Sequence, residues 1–364
     1  MGEGKIRSYK DSGVDVELED EALKLVVEWC SKTFGLRRDV GSPVIPIAHF
    51  AGVVKLSDRL GLAIKTDGVG TKVFIAQLMG KYDTVGIDCV AMNVNDVICV
   101  GAEPISFVDY LAVQKPDPKI LGEIAKGLAL GAEKAGITIV GGEIAQLPEM
   151  IMGKRENCGF DLVGMCVGIV KLDKIIMGKG LTENDVVVGF ESSGIHSNGL
   201  TLARKVLLEK AKLKLDNHID ELGRSLGEEL LEPTKIYVAE VLEMIKKGLK
   251  IKVAAHITGK GILNLLRVGE GFGFEIENMP EPPAIFKLIQ KYGKISDEEM
   301  YRVYNMGIGF CLVLPKNEAE EALTIAEKHG TKGWVLGKAV KDPEKKLVLK
   351  PKRLIGVKGK FVKF

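Results

Sequence analysis

Between Leu60 and Pro104 the chain runs through a strand, a glycine turn and a helix, and this stretch restricts the fold most. It contains AIKTDGVGTK, from Ala63 to Lys72, and VGIDCVAMNVNDVICVGAEP, from Val85 to Pro104. Leu60–Thr66 reads as a strand, Asp67–Gly70 as a turn, and Asp83–Val100 as a helix ended by Gly101. The turn sets the Asp67 carboxylate beside Gly68 at a strand end. From Val85 on, the helix carries two acids, Asp88 and Asp96, and two amides, Asn93 and Asn95. At about 3.6 residues per turn, Asp88 and Asn95 share a face with Asp96 beside it, while Val90, Val94 and Val97 take another side. Oxygen donors of this kind suit a magnesium ion that bridges phosphates and keeps part of its water shell. Lys72 closes the turn and can act as a point charge on a phosphate. No G-x-x-x-x-G-K-[ST] occurs, so a phosphate site here is not a P-loop. Capping and solvation are the plainer use of such polar groups, and the glycine turn beside them brings the metal–phosphate reading level with that use.

Around that stretch the pattern keeps alternating. Asp20 is placed to cap a helix through about Phe34, with Leu23, Val26, Val27 and Cys30 on its apolar face. Ile105–Val113 is β-rich, Pro118–Ala135 helical, Ile137–Val140 a short strand closed by Gly141-Gly142, and Leu162–Val170 a fourth strand. A charged, glycine-bearing segment, Lys171–Asn184, marks a domain boundary, giving 1–171 and 172–364. The second part offers strands at Val186–Phe190, Val253–His256, Phe272–Ile276, Ile308–Leu314 and Gly333–Ala339. Helices are expected at Leu200–Lys210, at Leu226–Lys247 as one long rod, and at Glu318–His329. A chain of 364 residues is too long for one ordinary core, which agrees with two α/β domains.

Three further loops carry chemistry. GGE, Gly141–Glu143, follows a strand; its glycines permit close backbone approach, and its carboxylate can accept from ribose hydroxyls or hold a metal. SSGIHSNG, Ser192–Gly199, sets small residues and free N–H groups before a helix, an anion site in waiting. Ser193, Gly194, His196, Ser197 and Asn198 are its candidates. HITGKG, His256–Gly261, repeats the logic, with His256 opening a glycine loop after a strand.

Charge and cysteine usage exclude several classes. The net charge is +2 and no basic stripe is interleaved with aromatics, so no nucleic-acid partner is expected. No run of 18 apolar residues occurs, so no membrane partner is expected either. Cys30, Cys89, Cys99, Cys158, Cys166 and Cys311 form no C-x-x-C and read as buried thiols of a reducing cytoplasm. The N-terminal MGEGKIRSYKD carries no secretory apolar stretch and lacks the pattern for myristoylation. Residues 1–18 read as a polar arm that stays mobile unless it lies on a ligand or a partner.

Taken in order, SYKDSGVD, TDGVGTK, GIDCVAMNVNDV, GAEP, VGGE, SSGIHSNG, PTKIY, HITGKG and MYRVYNMGIG resemble the phosphoribosylformylglycinamidine cyclo-ligase (AIR synthetase) family over nearly the whole chain, roughly Ser8 to Val340. Single motifs such as GGE are weak; the ordered set is specific. The resemblance implies a two-domain α/β (α+β) fold whose N-terminal sheets pair into a β-barrel across a homodimer. It implies ATP-dependent ring closure of formylglycinamidine ribonucleotide to aminoimidazole ribonucleotide, with ADP and phosphate released and Mg2+ required. Carried onto this chain, Asp67, Asp88 and Asp96 look like the metal set. Lys10, Asp67, Gly68, Lys72, Asp88, Asn95 and Glu143 look like the ATP contacts, Glu143 at the ribose. The SSGIHSNG residues look like the substrate-phosphate loop, and His256, His196 and Lys72 look like the catalytic groups.

The chain departs from the family pattern at some positions. The loop before the first strand, IAHFAG, is less glycine-rich than usual, and IAQLP replaces TAEMP after VGGE, at Ile144 and Gln146. Asn93 and Lys260 stand where Cys and Gly are common. The competing readings are a thiamine-monophosphate kinase, a selenophosphate synthetase, a hydrogenase-maturation dehydratase, or a non-catalytic nucleotide-binding regulator. The first cysteine lies on a helix face rather than near the N-terminus, and the chain ends KFVKF rather than in cysteine, which counts against the synthetase and the dehydratase. The kinase lacks motifs of the SYKDSGVD and HITGKG type. Intact Asp67, Lys72, Asp88 and His256 argue against the regulator.

Overall fold

A computed structural model describes residues 6–364; the Met1–Lys5 start of the arm lies outside the described residues. The first half contains α1 (Val16–Ser31), β1 (Gly52–Lys55), β2 (Leu60–Gly68), α2 (Lys72–Met79), α3 (Asp83–Cys99), β3 (Glu103–Val113), α4 (Pro118–Ala135), β4 (Thr138–Gln146) and β5 (Phe160–Lys171). Its strands form one five-stranded sheet in the order β1-β2-β5-β3-β4. All neighbours are antiparallel except β3 and β4, which are joined by the α4 crossover. Asp117 caps α4 by accepting from the N–H of Lys119 and Ile120, Pro118 occupies the first turn, and Gly136 ends the helix at φ +66°.

The second half contains β6 (Asp185–Glu191), α5 (Leu200–Arg204, continued by a wider π turn to Lys210), β7 (His218–Ile219), β8 (Arg224–Ser225), α6 (Leu226–Leu230) and α7 (Val238–Lys246). It continues with β9 (Val253–His256), β10 (Phe272–Ile276), α8 (Ala284–Gly293), α9 (Asp297–Val303), β11 (Ile308–Pro315) and α10 (Ala319–Lys328). The chain ends with β12 (Gly333–Lys341), β13 (Leu347–Leu349), β14 (Leu354–Val357) and β15 (Lys360–Lys363). Eight of these strands form a second sheet, ordered β15-β14-β13-β10-β12-β6-β11-β9. Near its β9 end, β6 and β11 are built from the unbroken apolar runs VVVGF and IGFCLVL and are buried on both faces.

The helix that joins the halves is α3. Every residue from Val85 to Cys99 is buried. It packs on β2 and β5, on α4, and on β9 and α7 of the second half. Against α4 the approach is backbone to backbone. A Cβ at Gly86 would lie 2.2 Å from the Leu128 nitrogen, and one at Gly127 would lie 2.1 Å from the Asp83 carbonyl.

Four expectations are corrected. The first helix starts at Val16, because Asp15 and not Asp20 takes the cap and accepts from the Leu18 N–H at 3.2 Å. None of its residues is buried; Leu18, Leu25 and Trp29 are each more than 60% exposed. Gly141-Gly142 does not end a strand, since β4 runs through both and pairs them with Val108 and Asp109 of β3. Of the two, Gly142 is needed in place: a Cβ there would meet Asp109 Oδ1 at 2.5 Å, whereas one at Gly141 meets nothing within 4 Å. The long rod expected at Leu226–Lys247 breaks into α6 and α7, because Pro233 removes a donor and turns Leu231–Tyr237 into a loop. The arm is tied down as well: the Tyr9 N–H donates to Glu299 Oε1 at 2.7 Å, and its hydroxyl accepts from the Gly199 N–H at 3.3 Å.

Candidate active site

The DGVG turn and the end of SSGIHSNG, far apart in sequence, face each other across a cleft of about 320 Å³. Asp67, Gly68, Val69 and Gly70 line one wall, Asp161 and Val163 of β5 another, and Ser197 and Asn198 the third. Gly70, at φ +70°, leads the chain from the cleft wall directly into α2, which begins two residues later at Lys72. Asn198 Oδ1 is buried and has no hydrogen-bond partner. Gly259 of HITGKG lies against the same amide, with a Cβ there 3.4 Å from Asn198 Nδ2. Three of the loops singled out in the sequence therefore converge.

Behind the cleft runs a chain of charges. Lys65 Nζ lies 3.3 Å from Asp67 Oδ2 and 2.8 Å from Asp96 Oδ2. Asp96 Oδ1 lies 2.9 Å from His256 Nδ1. Burial raises the Asp67 carboxyl, with Lys65 pulling against the rise and Asp96 adding to it. At Asp96 burial pushes upward too, but Lys65 and His256 outweigh it and hold the carboxyl below its usual range. Burial weakens the Lys65 ammonium, yet Asp96 and Asp67 together hold its pKa above the ordinary lysine value.

One residue and two turns back from Asp96 along α3, Asn95 and Asp88 make a closed seam with the second half. Lys72 and Asp88 are both fully buried and paired, with Lys72 Nζ 2.9 Å from each Asp88 oxygen. Only the bond to Oδ1 is well directed, and Oδ2 is otherwise without a donor. Asp88 Oδ1 also accepts from the Thr234 N–H at 2.7 Å and the Thr234 hydroxyl at 2.6 Å. Lys72 donates as well to the Glu232 carbonyl. Asn95 donates to the Lys235 carbonyl at 2.8 Å and accepts from the Tyr237 N–H at 3.0 Å. All these partners sit on the loop that Pro233 creates.

The remaining candidates lie elsewhere. His196 is buried at φ +65°; its Nε2 accepts from the N–H of Ser193 at 3.2 Å, and its Nδ1 has no partner. Burial, followed by repulsion from His256, Lys72 and Lys235, holds its pKa well below that of a free histidine, so the ring is neutral. Ser193 donates to the Pro233 carbonyl and lines a second cleft, of about 370 Å³, with Lys235, Glu240 and His329. Gly194 takes φ +153° and lies near Glu229. Glu143 is exposed on β4, and one of its carboxylate oxygens accepts the Ile144 N–H. Lys10 is exposed and paired with Asp15 at 2.8 Å.

Residues 49–170 match the family described as AIR synthase related protein, N-terminal domain, and residues 182–350 match its C-terminal domain. The chain belongs to the AIR synthase related family. A phosphoribosylformylglycinamidine cyclo-ligase of Methanocaldococcus jannaschii is 47% identical over 338 residues, which cover 93% of this chain and 93% of the relative. Another, of Thermococcus kodakarensis, is 49% identical over 337 residues, 92% of this chain and 96% of the relative. Among solved structures, tt0281 of Thermus thermophilus matches with a TM-score of 0.58 at 17% identity, over 87% of this chain and 94% of that one. A chain of the HypE-HypF complex matches with a TM-score of 0.59 at 18% identity, over 85% and 92%. At such identities the two structures speak for the AIR synthase fold alone.

The family implies magnesium, and the donor set can be tested against it. Among the described residues no group of three or more His, Cys, Asp or Glu side chains lies together to hold a metal ion. Asp88 is closed off by Lys72 and Thr234, and both Asp96 oxygens already face a partner. Asp67 alone of the three opens to the cleft. The three aspartates do not fit one shared ion. Sequence reasoning passed over Lys65, Asp161 and Thr234. Lys65 had a readable signal, since it stands two residues before Asp67 and so on the same face of β2.

Proposed function

We propose that this chain closes the imidazole ring of formylglycinamidine ribonucleotide with ATP, giving aminoimidazole ribonucleotide, ADP and phosphate. The observation that carries the reading is the end-to-end likeness to two relatives named as that cyclo-ligase. In this reaction the substrate's amide oxygen takes the γ-phosphoryl group and ADP leaves. The amidine nitrogen then attacks the activated carbon, a C–N bond forms, and the C–O bond breaks as phosphate departs. Such chemistry asks for positioning and charge balance rather than a covalent nucleophile.

In our reading the cleft between Asp67 and Asn198 holds the reacting groups. The start of α2 faces the phosphates, and Ser197 and Asn198 hold the substrate, whose ribose 5′-phosphate lies against SSGIHSNG. His196, neutral and buried, braces that loop from beneath. Lys72, Asp88 and Asn95 act through the seam by fixing the 232–237 loop against α3, and His256 acts through Asp96. A cation carried by the phosphates would meet Asp67 and not Asp88.

The domain division at 171/172 belongs to this proposal, since the first sheet ends at Lys171 and the second begins at Asp185. So does a homodimer. The first sheet ends in an unpaired edge, β4, where Val140 is 70% and Ile144 52% exposed, and its outer face leaves Ile64, Tyr110 and Met165 more than a third exposed. A second copy would cover both. Among the described residues no helix is long and apolar enough to cross a membrane. A cytoplasmic setting follows from the pathway the reaction belongs to.

The deciding assay is ADP release with and without formylglycinamidine ribonucleotide. Release that requires this substrate supports the reading. Release with thiamine monophosphate in its place, or with no acceptor at all, overturns it.

A further inference from the structure

We propose that the Lys65 ammonium is the resident cation of this site: it stands where a divalent ion would otherwise bridge Asp67 and Asp96, so the site takes up no metal beyond what its nucleotide brings. The inference rests on the nucleotide reading of the cleft. It starts from the failure of the three aspartates to form one metal set. Lys65 and Asp67 alternate with Thr66 along β2 and project from one face, toward α3 and Asp96. The side chain is 19% exposed and ends 2.8 Å from Asp96 Oδ2 and 3.3 Å from Asp67 Oδ2. These are distances of an ammonium ion between carboxylates, longer than the roughly 2.0–2.1 Å a magnesium ion demands.

The other two oxygens are also engaged. Asp96 Oδ1 faces His256 Nδ1 at 2.9 Å, and Asp67 Oδ1 accepts the Gly68 N–H at 2.8 Å. All four carboxylate oxygens therefore have a donor before any ligand arrives. A bridging ion would have to expel Lys65 from between two carboxylates and leave its ammonium without a counter-charge. With the ammonium deleted, two carboxylates would face each other in a largely buried site, an arrangement that draws in a divalent cation.

The test is a Mn²⁺ titration of the nucleotide-free protein, read by loss of the free-ion EPR signal. Wild type is expected to bind Mn²⁺ weakly. Lys65→Met should gain a site at least tenfold tighter, Lys65→Arg should stay like wild type, and adding Asp67→Asn or Asp96→Asn to Lys65→Met should abolish the gain. Lys65→Gln is made alongside, so that a folding defect in the Met variant does not decide the matter. A tight equivalent of Mn²⁺ in the wild type that depends on both Asp67 and Asp96 overturns the assignment, and so does a folded Lys65→Met or Lys65→Gln with no gain. ADP release is read separately. No Mn²⁺ gain together with substrate-dependent ADP release in the wild type removes the cation assignment alone. A Mn²⁺ gain without such ADP release keeps the assignment and removes the ring-closure reading.

Discussion

Replacing Asp88 with Asn tests whether the polar face of α3 serves the ligand or the seam between the halves. The substitution keeps size and leaves an oxygen for the two Thr234 donors at 2.6 and 2.7 Å. It removes the charge that balances Lys72 and turns an amide N–H₂ toward an ammonium 2.9 Å away, in a place with no solvent access. Breaking a buried pair from one side costs about 3–5 kcal/mol. With an unfolding entropy of roughly 2.1 cal/mol/K per residue, a chain of this length should lose about 4–7 °C in Tm. Differential scanning calorimetry and a urea titration measure the loss directly. Asp88→Leu combined with Lys72→Met should recover most of it, because an apolar pair of similar volume leaves no stranded charge. An Asp88→Asn protein that melts like wild type yet no longer binds ATP would refute the argument and return Asp88 to the ligand.

Other outcomes follow from the same geometry. Asp67→Asn should melt within about 1 kcal/mol of wild type, since its side chain keeps 35% of its surface exposed and Lys65 keeps its nearer partner Asp96, while substrate-dependent ADP release falls at least tenfold, about 1.4 kcal/mol in the barrier. Gly127→Ala should destabilise by about 1–3 kcal/mol in a urea titration despite alanine's better helix propensity, because its Cβ would strike the Asp83 carbonyl, whereas Gly122→Ala on the same helix meets nothing within 4 Å and should gain about 0.5–1 kcal/mol. Burial, with Arg267 adding to it and the Ile176 carbonyl and Asp96 pulling against it, holds His49 at about 4 against an ordinary 6.5. The unfolded chain then binds a proton between about pH 6.5 and 4 that the folded chain refuses, so wild type loses stability as pH falls through that window, and His49→Gln should show a shallower loss. Ile144→Lys on the open edge should convert a particle of twice the 39.5 kDa chain mass into a monomer by light scattering; a mutant that keeps its mass would place the interface elsewhere.

Much of the architecture was readable because its signals are local. Asp117-Pro118 and Gly136 bracket α4, and a charged segment separates two runs of alternating strands and helices. The misreadings came where two local signals compete. Asp15 and Asp20 both offer a cap, and the earlier one wins because the backbone at Asp15 is extended. Helical periodicity runs across Pro233 as if it were not there. The candidate site was legible as motifs and not as an arrangement. Periodicity showed that Asp88, Asn95 and Asp96 share a side of α3, but nothing local says what that side meets. A row of acids and amides suits a metal; it suits equally the N–H groups and carbonyls of a loop more than 130 residues away. Lys65 is aligned with Asp67 by strand alternation alone, but its nearer partner, Asp96, is reached only by folding.

The contact between α3 and α4 divides the chain's freedom to drift. Where two helices touch through their backbones, no neighbouring side chain can shrink to accommodate a larger one, so any side chain at Gly86 or Gly127 must push the two helices apart. On α1, by contrast, exposed positions such as Leu25 can change with little effect on the folded core. A lineage under pressure to alter this protein's temperature range or surroundings must therefore do so at the rim. The helix pair at its centre would be inherited almost unaltered, and the spacing between Gly86 and Gly127 would outlast most of the sequence around it.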